Sequence, residues 1–506
     1  MRHASSLLTV IGCLWLLGLI ALGLLEYPVR RHHFESAGLT FGVGLTLLAW
    51  LHRIRTDPEL HAPAPEARPL GVYLVPAVIA LLAFGWSISL GPLSDDFVLR
   101  TWAAEGDWTP ETWGYLRPLP LALWQVLGSW GGWTALHILN ILLHALNSAL
   151  VGGIGSACLG PRSGIAAGVV FAMFPAAAEA VAWGAGVFDL TAAACVLIAV
   201  TVWLSNVRPL RRHVLLVLVC AAGLLSKESA IAIPALLLLI TLAWAPSWLR
   251  SRGRLVSLLL TLTLGAGYLV ARAVLSPALA SHIQNLPDGR RQLKDLLLRP
   301  FAGVSVPMRT ETGIGVDAYL GGLFLLMLIA VTVLQIARSL PGSRDGVRRA
   351  SVLCIGLGWT LLSALPLLMQ FYVSPTLEGS RYLYLPSAGL ALAVSAAFAG
   401  RSLGWREGAA ALALAGLLGG YAVRLREERS VWRAATTVRD AVLTHAAAAV
   451  RDVPCRTLLI HGAPDNVRGA FVFREGLEDA LAAIPMNASG AACVLRWTGS
   501  GLIPED

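Results

Sequence analysis

Charge is what this sequence has least of. Only 14% of its 506 residues are charged, while 56% are hydrophobic; soluble domains carry roughly 25% charged residues. A chain this short of polar groups cannot coat a surface facing water, which excludes a soluble enzyme, a disordered protein and a secreted disulfide scaffold. The mean hydropathy of +0.68 agrees. Lysine is almost missing: of 39 basic residues only Lys227 and Lys294 are lysines. The net charge of +9 lies in short arginine clusters between apolar runs, the pattern of loops held on the cytoplasmic side of a bilayer. No nucleic-acid partner is expected. Cysteine is also scarce, with seven residues and no CxxC. Cys13, Cys158, Cys195, Cys220 and Cys354 lie inside apolar runs and read as small hydrophobes. Cys455 and Cys493 fall in a polar C-terminal segment, where an oxidising compartment would let them pair.

What is abundant is membrane-spanning sequence. Apolar stretches near the ~20 residues needed to cross a bilayer lie at 6–25, 37–52, 70–91, 132–157, 163–178, 187–205, 213–226, 229–247, 255–276, 319–338, 350–371, 383–400 and 407–424. The expected fold is an all-α polytopic membrane protein of about thirteen transmembrane helices with a small C-terminal α+β domain. The first stretch lacks a small-residue cleavage site before Glu26 and reads as an uncleaved anchor. Arginines at 53–55, 162, 208–212, 250–254, 338–349 and 401–406 all fall in loops on one side. That bias puts the N-terminus in the cytoplasm and the C-terminus outside, although Arg30 and Arg31 dissent. Residues 1–69 form an extra hairpin and linker, 70–424 a transmembrane core, and 425–506 an extracytoplasmic domain. The core has long outer loops at 92–131 and 277–318. In the tail, a helix over Val431–Val450 and short apolar runs at Thr457–His461 and Ala491–Trp497 are expected.

Ionisable groups at a bilayer are costly and mark function. Five places stand out. Asp95-Asp96 follows the third span; adjacent carboxylates repel and raise a pKa, which suits a general base or a cation site, although the pair would also serve as an ordinary solvated helix end. His137, Asn140, His144 and Asn147 share one stripe of an apolar helix; interhelical hydrogen bonding is the plainer reading, direct catalysis the other. Glu179 and Asp189 bracket a tight outer turn. Lys227-Glu228 separates two apolar runs, and a lone lysine in an arginine-rich chain suggests a point charge placed for a phosphate. Glu378-Gly379-Ser380-Arg381-Tyr382 opens an outer helix, where guanidinium and free N–H groups could bind an anion or simply anchor at the headgroups. All five fall on the extracytoplasmic face.

Ser94-Asp95-Asp96-Phe97, Arg117-Pro118-Leu119, His137 through Asn147, Phe174-Pro175 through Trp183 with Asp189, Lys227-Glu228, and Arg381 through Ser387 recur here in an order and spacing that resembles the transmembrane-and-tetratricopeptide O-mannosyltransferases and their bacterial relatives. Trp432 stands where those proteins often carry a Trp before their repeats. The resemblance covers about 90–435. It implies a GT-C glycosyltransferase fold, a polyprenyl-phosphate-linked sugar as donor, and Asp95 or Asp96 as the catalytic acidic residue. The repeats themselves are missing, so the acceptor (protein, lipid or glycan) is not carried over, and the hairpin 1–52 is additional.

Inverting transfer requires a carboxylate to take the acceptor's proton and a cation to hold the departing phosphate. The base is assigned to Asp95, with Asp96 orienting it or binding a divalent cation (Mg or Mn). Arg381, assisted by Lys227, is assigned to the donor phosphate. Arg117, His137, His144, Glu179, Asp189, Glu228, Glu378 and Tyr382 are expected to position substrate. The alternatives are a lipid-linked glycan transporter or polymerase-type protein, and a non-catalytic assembly scaffold. Arginine-rich, lysine-poor usage points to a bacterial inner membrane.

Overall fold

The computed structural model describes residues 68–108, 116–275, 316–339, 344–368, 373–374, 376–399, 405–453, 455–485 and 491–504. The hairpin at 1–52, most of the loop 277–318 and part of the loop 92–131 lie outside the described residues. Each of the eleven stretches from residue 70 onward has a helix at its place. These helices are α1 (Gly71–Phe84), α3 (Pro118–Leu159), α4 (Pro161–Ala172), α6 (Val187–Leu204), α7 (Pro209–Leu224), α8 (Ile233–Trp244), α9 (Arg252–Leu275), α10 (Val316–Ser339), α11 (Arg344–Leu368), α12 (Tyr384–Ser395) and α13 (Trp405–Asp452). Two short helices join them, α2 (Asp95–Glu105) and α5 (Ala177–Ala182). Among the described residues, five helical segments are long and apolar enough to cross a membrane. The chain is a multi-pass membrane protein, mostly helical.

Small residues let the core helices meet. A Cβ on Gly152 of α3 would come 2.5 Å from the Val72 carbonyl oxygen of α1, and one on Gly164 of α4 would come 2.6 Å from the Gly152 oxygen. In lipid no hydrophobic force drives helices together, so close backbone approach and its dispersion contacts must do it. α6 is buried nearly all round and forms the centre. Its continuous apolar sequence suits that position, since it has no face to present to water.

Two features differ from the sequence expectation. Residues 118–131, expected within an outer loop, are helical and run into the span through a kink at Gly132 (φ 58°), a left-handed value that favours glycine. The last span and the tail helix are one 48-residue helix, α13, about 70 Å long. A single stripe from Ala410 through Tyr421, Trp432 and Arg439 to Val450 is buried along its length. The boundary expected at 425 therefore falls inside a rigid rod that carries the tail.

Beyond α13 a parallel pair, β1 (Cys455–His461) and β4 (Ala491–Trp497), is extended by β5 (Leu502–Pro504), antiparallel to β4. Between them lie a small hairpin, β2 (Asn466–Val467) and β3 (Ala470–Phe471), and the short helix α14 (Leu477–Leu481). Cys455 and Cys493 form a disulfide across β1 and β4, with Cα atoms 5.6 Å apart. The other cysteines among the described residues are free. A cross-link closing 38 residues limits the unfolded chain by about 3–4 kcal/mol. The Cys455→Ser/Cys493→Ser variant is expected to lose the tail's protease resistance at lower temperature than the wild type. Equal resistance of both proteins to limited proteolysis would contradict this.

Candidate active site at the helix ends

The acidic pair sits where the short 3-10 turn after α1 (Gly85–Ser89) leads through Leu90–Ser94 into α2. Asp96 is buried at 1% exposure. Its Oδ2 accepts from the Leu93 N–H at 2.9 Å and its Oδ1 from the Ala185 N–H at 2.8 Å. Gly184 is required beside it, since a Cβ there would come 2.8 Å from Asp96 Oδ1. The Trp183 indole N–H donates to the Leu93 carbonyl at 2.9 Å, and Asn140 Nδ2 donates to the Trp183 carbonyl at 2.8 Å. Asp96 therefore ties the loop before α2 to the turn after α5. Burial pushes its carboxyl up to about 8, against the backbone N–H groups that favour the charged form. Both oxygens are engaged, and among the described residues no three His, Cys, Asp or Glu side chains converge to hold a metal ion.

Asp95 is the half-buried member of the pair. Its Oδ1 accepts from the Ser94 hydroxyl at 3.1 Å. Burial raises its carboxyl above the usual 3.8, while Arg381, the Ser94 hydroxyl and Arg474 pull it back. Ser94 has φ 48° and ψ −120°, a conformation that costs a non-glycine residue on the order of 1–3 kcal/mol and persists only where surroundings hold it.

The cations form a row of ion pairs. Arg381 Nη1 donates to Glu179 Oε1 at 3.0 Å and the Ser380 hydroxyl to Oε2 at 3.2 Å. The Arg381 guanidinium lies 4.5 Å from the Trp183 ring centre and donates to the Tyr382 hydroxyl at 3.2 Å. Lys227 Nζ is 2.6 Å from Asp189 Oδ1 and 5.0 Å from the Tyr382 ring centre. Arg117 grips Glu228 with two bonds, Nε at 3.0 Å and Nη2 at 2.5 Å. Tyr382 thus lies between Arg381 and Lys227. Buried charges need partners, and the carboxylates expected to contact substrate hold the cations instead: Glu179 aims Arg381, Asp189 aims Lys227, and Glu228 fixes Arg117.

The histidine stripe resolves towards packing. His144 is fully buried, with Nδ1 2.8 Å from the Tyr384 hydroxyl and Nε2 3.1 Å from the Ala172 carbonyl. Asn147 donates to the Leu190 carbonyl and the Tyr384 hydroxyl. Both ring nitrogens of His144 are spent between helices, so it has none left for substrate. His137 is 1% exposed and lies beside the Leu90 backbone and Arg439, and among the described residues its Nδ1 is buried without a hydrogen-bond partner. Glu378 is paired with Arg474, another departure from a free substrate contact.

Arg474 and the rest of the tail's contribution carry no signal in a local reading. Arg474 also donates to Asp465 at 2.6 and 2.9 Å, and those bonds, with Glu378, raise its own affinity for the proton while holding the Asp465 carboxyl down. The Phe471 ring packs tilted against Trp183, with centres 4.9 Å apart, and lies 5.8 Å from the Arg381 guanidinium. Phe473 stacks on Phe97 at 6.2 Å, and the Thr101 hydroxyl donates to Asp479 at 2.6 Å. The tail is seated on α2 and on the loop that carries Arg381.

Over 130 residues this sequence is 36% identical to the protein O-mannosyl-transferase Tmtc1 of Drosophila melanogaster. The chain resembles that group. The match spans 23% of this chain and 14% of the relative's length. No family model matches. Among solved structures, ArnT from Cupriavidus metallidurans bound to undecaprenyl phosphate is 13% identical, with 85% of this chain and 94% of that one covered at a TM-score of 0.49. The archaeal oligosaccharyltransferase AglB from Archaeoglobus fulgidus, in complex with an inhibitory peptide and a dolichol-phosphate, is 13% identical, with 73% and 58% covered at 0.42. The resemblance to the O-mannosyltransferase group drawn from the motifs recurs in the sequence comparison. At these identities neither solved structure transfers a residue role to this chain.

Proposed function

We propose that this protein is a membrane glycosyltransferase that moves a sugar from a polyprenyl-phosphate donor to the hydroxyl of an extracytoplasmic acceptor, with inversion. One observation carries the reading: a half-buried Asp95, clamped by a hydroxyl, shares one end of the helix bundle with a row of aimed cations led by Arg381. In the reaction the acceptor oxygen bonds to the anomeric carbon while the bond from that carbon to the phosphate oxygen breaks. The bonding pair leaves with the lipid phosphate, and Asp95 takes the acceptor's proton. Arg381, with Lys227 behind Tyr382, faces the charge that develops on the phosphate. Their carboxylate partners keep them in place before the donor arrives, so little reorganisation is needed at the moment of transfer. The likeness to a protein O-mannosyl-transferase supports a hexose donor and a hydroxyl acceptor.

The arginine bias supports a cytoplasmic N-terminus and an outer C-terminus in a bacterial inner membrane. A disulfide in the tail supports an oxidising compartment on that side. The test is a transfer assay on the purified full chain in lipid, offered a panel of polyprenyl-phosphate sugars with native membrane extract as acceptor. Release of free polyprenyl phosphate from one donor is the expected result. No turnover with any donor would overturn the reading and leave the acidic pair and the cations as a transport or assembly site.

A further inference from the structure

Ser94 is fully buried, and each of its polar atoms is committed. Its N–H donates to the Val472 carbonyl at 2.8 Å. Its Oγ accepts from the Glu475 N–H at 3.2 Å and donates to Asp95 Oδ1 at 3.1 Å. A hydroxyl has one proton and two lone pairs. Once the Glu475 N–H occupies a lone pair, the proton has a single carboxylate acceptor, and that is Asp95. The same tail segment covers Ser94 from above: a Cβ on Gly476 would come 2.7 Å from the Ser94 carbonyl oxygen. Residues 472–476 thus pack on Ser94 at its positive φ. The held hydroxyl then fixes the Asp95 carboxylate.

We infer that the C-terminal domain is part of the transfer machinery rather than an appended module, acting through Ser94 as a positioning residue that sets the orientation and proton affinity of Asp95. This rests on the reading of Asp95 as the base. The hydroxyl donates to the charged form of the carboxylate, so it favours deprotonation and keeps the base available at lower pH. The groups facing Asp95 electrostatically are Arg381 from the outer loop before α12, Arg474 from the tail, and Asp96 beside it. The tail therefore acts on the base twice, through a hydrogen bond and through a charge.

The experiment reads Asp95 directly, as the carboxylate infrared band that titrates in the full chain in lipid and is absent from Asp95→Asn. Ser94→Gly keeps the backbone free to adopt φ 48° but deletes the hydroxyl. It is expected to raise the titration midpoint by about one pH unit, and Ser94→Thr, which restores a hydroxyl, to return it. Gly476→Val, which pushes the tail off Ser94 without replacing that residue, should also move the midpoint. With polyprenyl-phosphate mannose as donor, the acid limb of kcat should move by the same amount in Ser94→Gly, with KM unchanged. A midpoint that stays in place in both Ser94→Gly and Gly476→Val overturns the inference while leaving the base assignment intact. Full transfer by Asp95→Asn overturns the base assignment, and the catalytic part of the inference with it, whatever the midpoints do.

Discussion

Asp95→Asn is expected to reduce sugar transfer by about 10²–10⁴-fold, the usual contribution of a positioned general base, with the helices still inserted and the tail still docked. The amide keeps an oxygen to accept from the Ser94 hydroxyl and occupies the same volume, so the loop before α2 loses little. What it cannot do is take a proton. In the wild type the rate should depend on pH with a definite sign. The carboxyl is raised above 3.8 by burial, and only its deprotonated form serves as base. Activity therefore rises as pH climbs through the raised folded value and falls below it. A variant that transferred at the wild-type rate, or a rate independent of pH across the acid range, would remove Asp95 from this role. Asp96→Asn tests a different link. Asp96 accepts from two backbone N–H groups, one on each oxygen, so in either orientation the amide NH2 of Asn would oppose one of them. Its loss should show as a looser loop as well as a slower enzyme.

The second large effect belongs to Arg381. Removing a cation that faces the leaving phosphate should cost about 10²–10³ in kcat, by analogy with the loss of one donor to a developing anion. Arg381→Ala should also destabilise the fold, because Glu179, with a side chain only 3% exposed, would be left as an uncompensated buried charge at about 3–5 kcal/mol. The two losses separate in a double variant. Arg381→Ala/Glu179→Ala removes both partners, so thermal stability should recover much of the way towards wild type while turnover does not. Glu179→Gln alone should leave Arg381 hydrogen-bonded but less firmly aimed, giving a smaller loss of kcat. Recovery of turnover along with stability in the double variant would show that Arg381 serves packing alone. Melting curves and single-donor kinetics on the wild type, Arg381→Ala, Glu179→Ala and the double variant complete the cycle.

The scarcity of charge was enough to reveal a membrane protein, because a bilayer is the only surrounding in which so apolar a surface is stable. Apolar run length located a helix at every stretch from residue 70 onward. The shared face of Asp95, Glu179, Lys227 and Arg381 was likewise readable, since intramembrane charge is too costly to be placed at random. Cys455 and Cys493 stood out by the polarity of their neighbours.

Pairing was not legible. That Glu179 would meet Arg381, Asp189 meet Lys227 and Glu228 meet Arg117 depends on which helices stand side by side, and residues with separations of 202, 38 and 111 positions leave no trace of each other in local pattern. For the same reason His144 read as a candidate for substrate contact when its ring is consumed by Tyr384 and Ala172. The continuity of α13 was hidden because its apolar stripe passes without a break from lipid to the tail, while the residues around that stripe change from apolar to charged. The tail's seat on Ser94 joins residues 381 positions apart through a backbone N–H, and every residue but proline has one. Composition and periodicity report which surroundings a residue requires. Which partner supplies them is a property of the packed chain, because hydrogen bonds and ion pairs are short-ranged and form only between groups that the fold has already brought together.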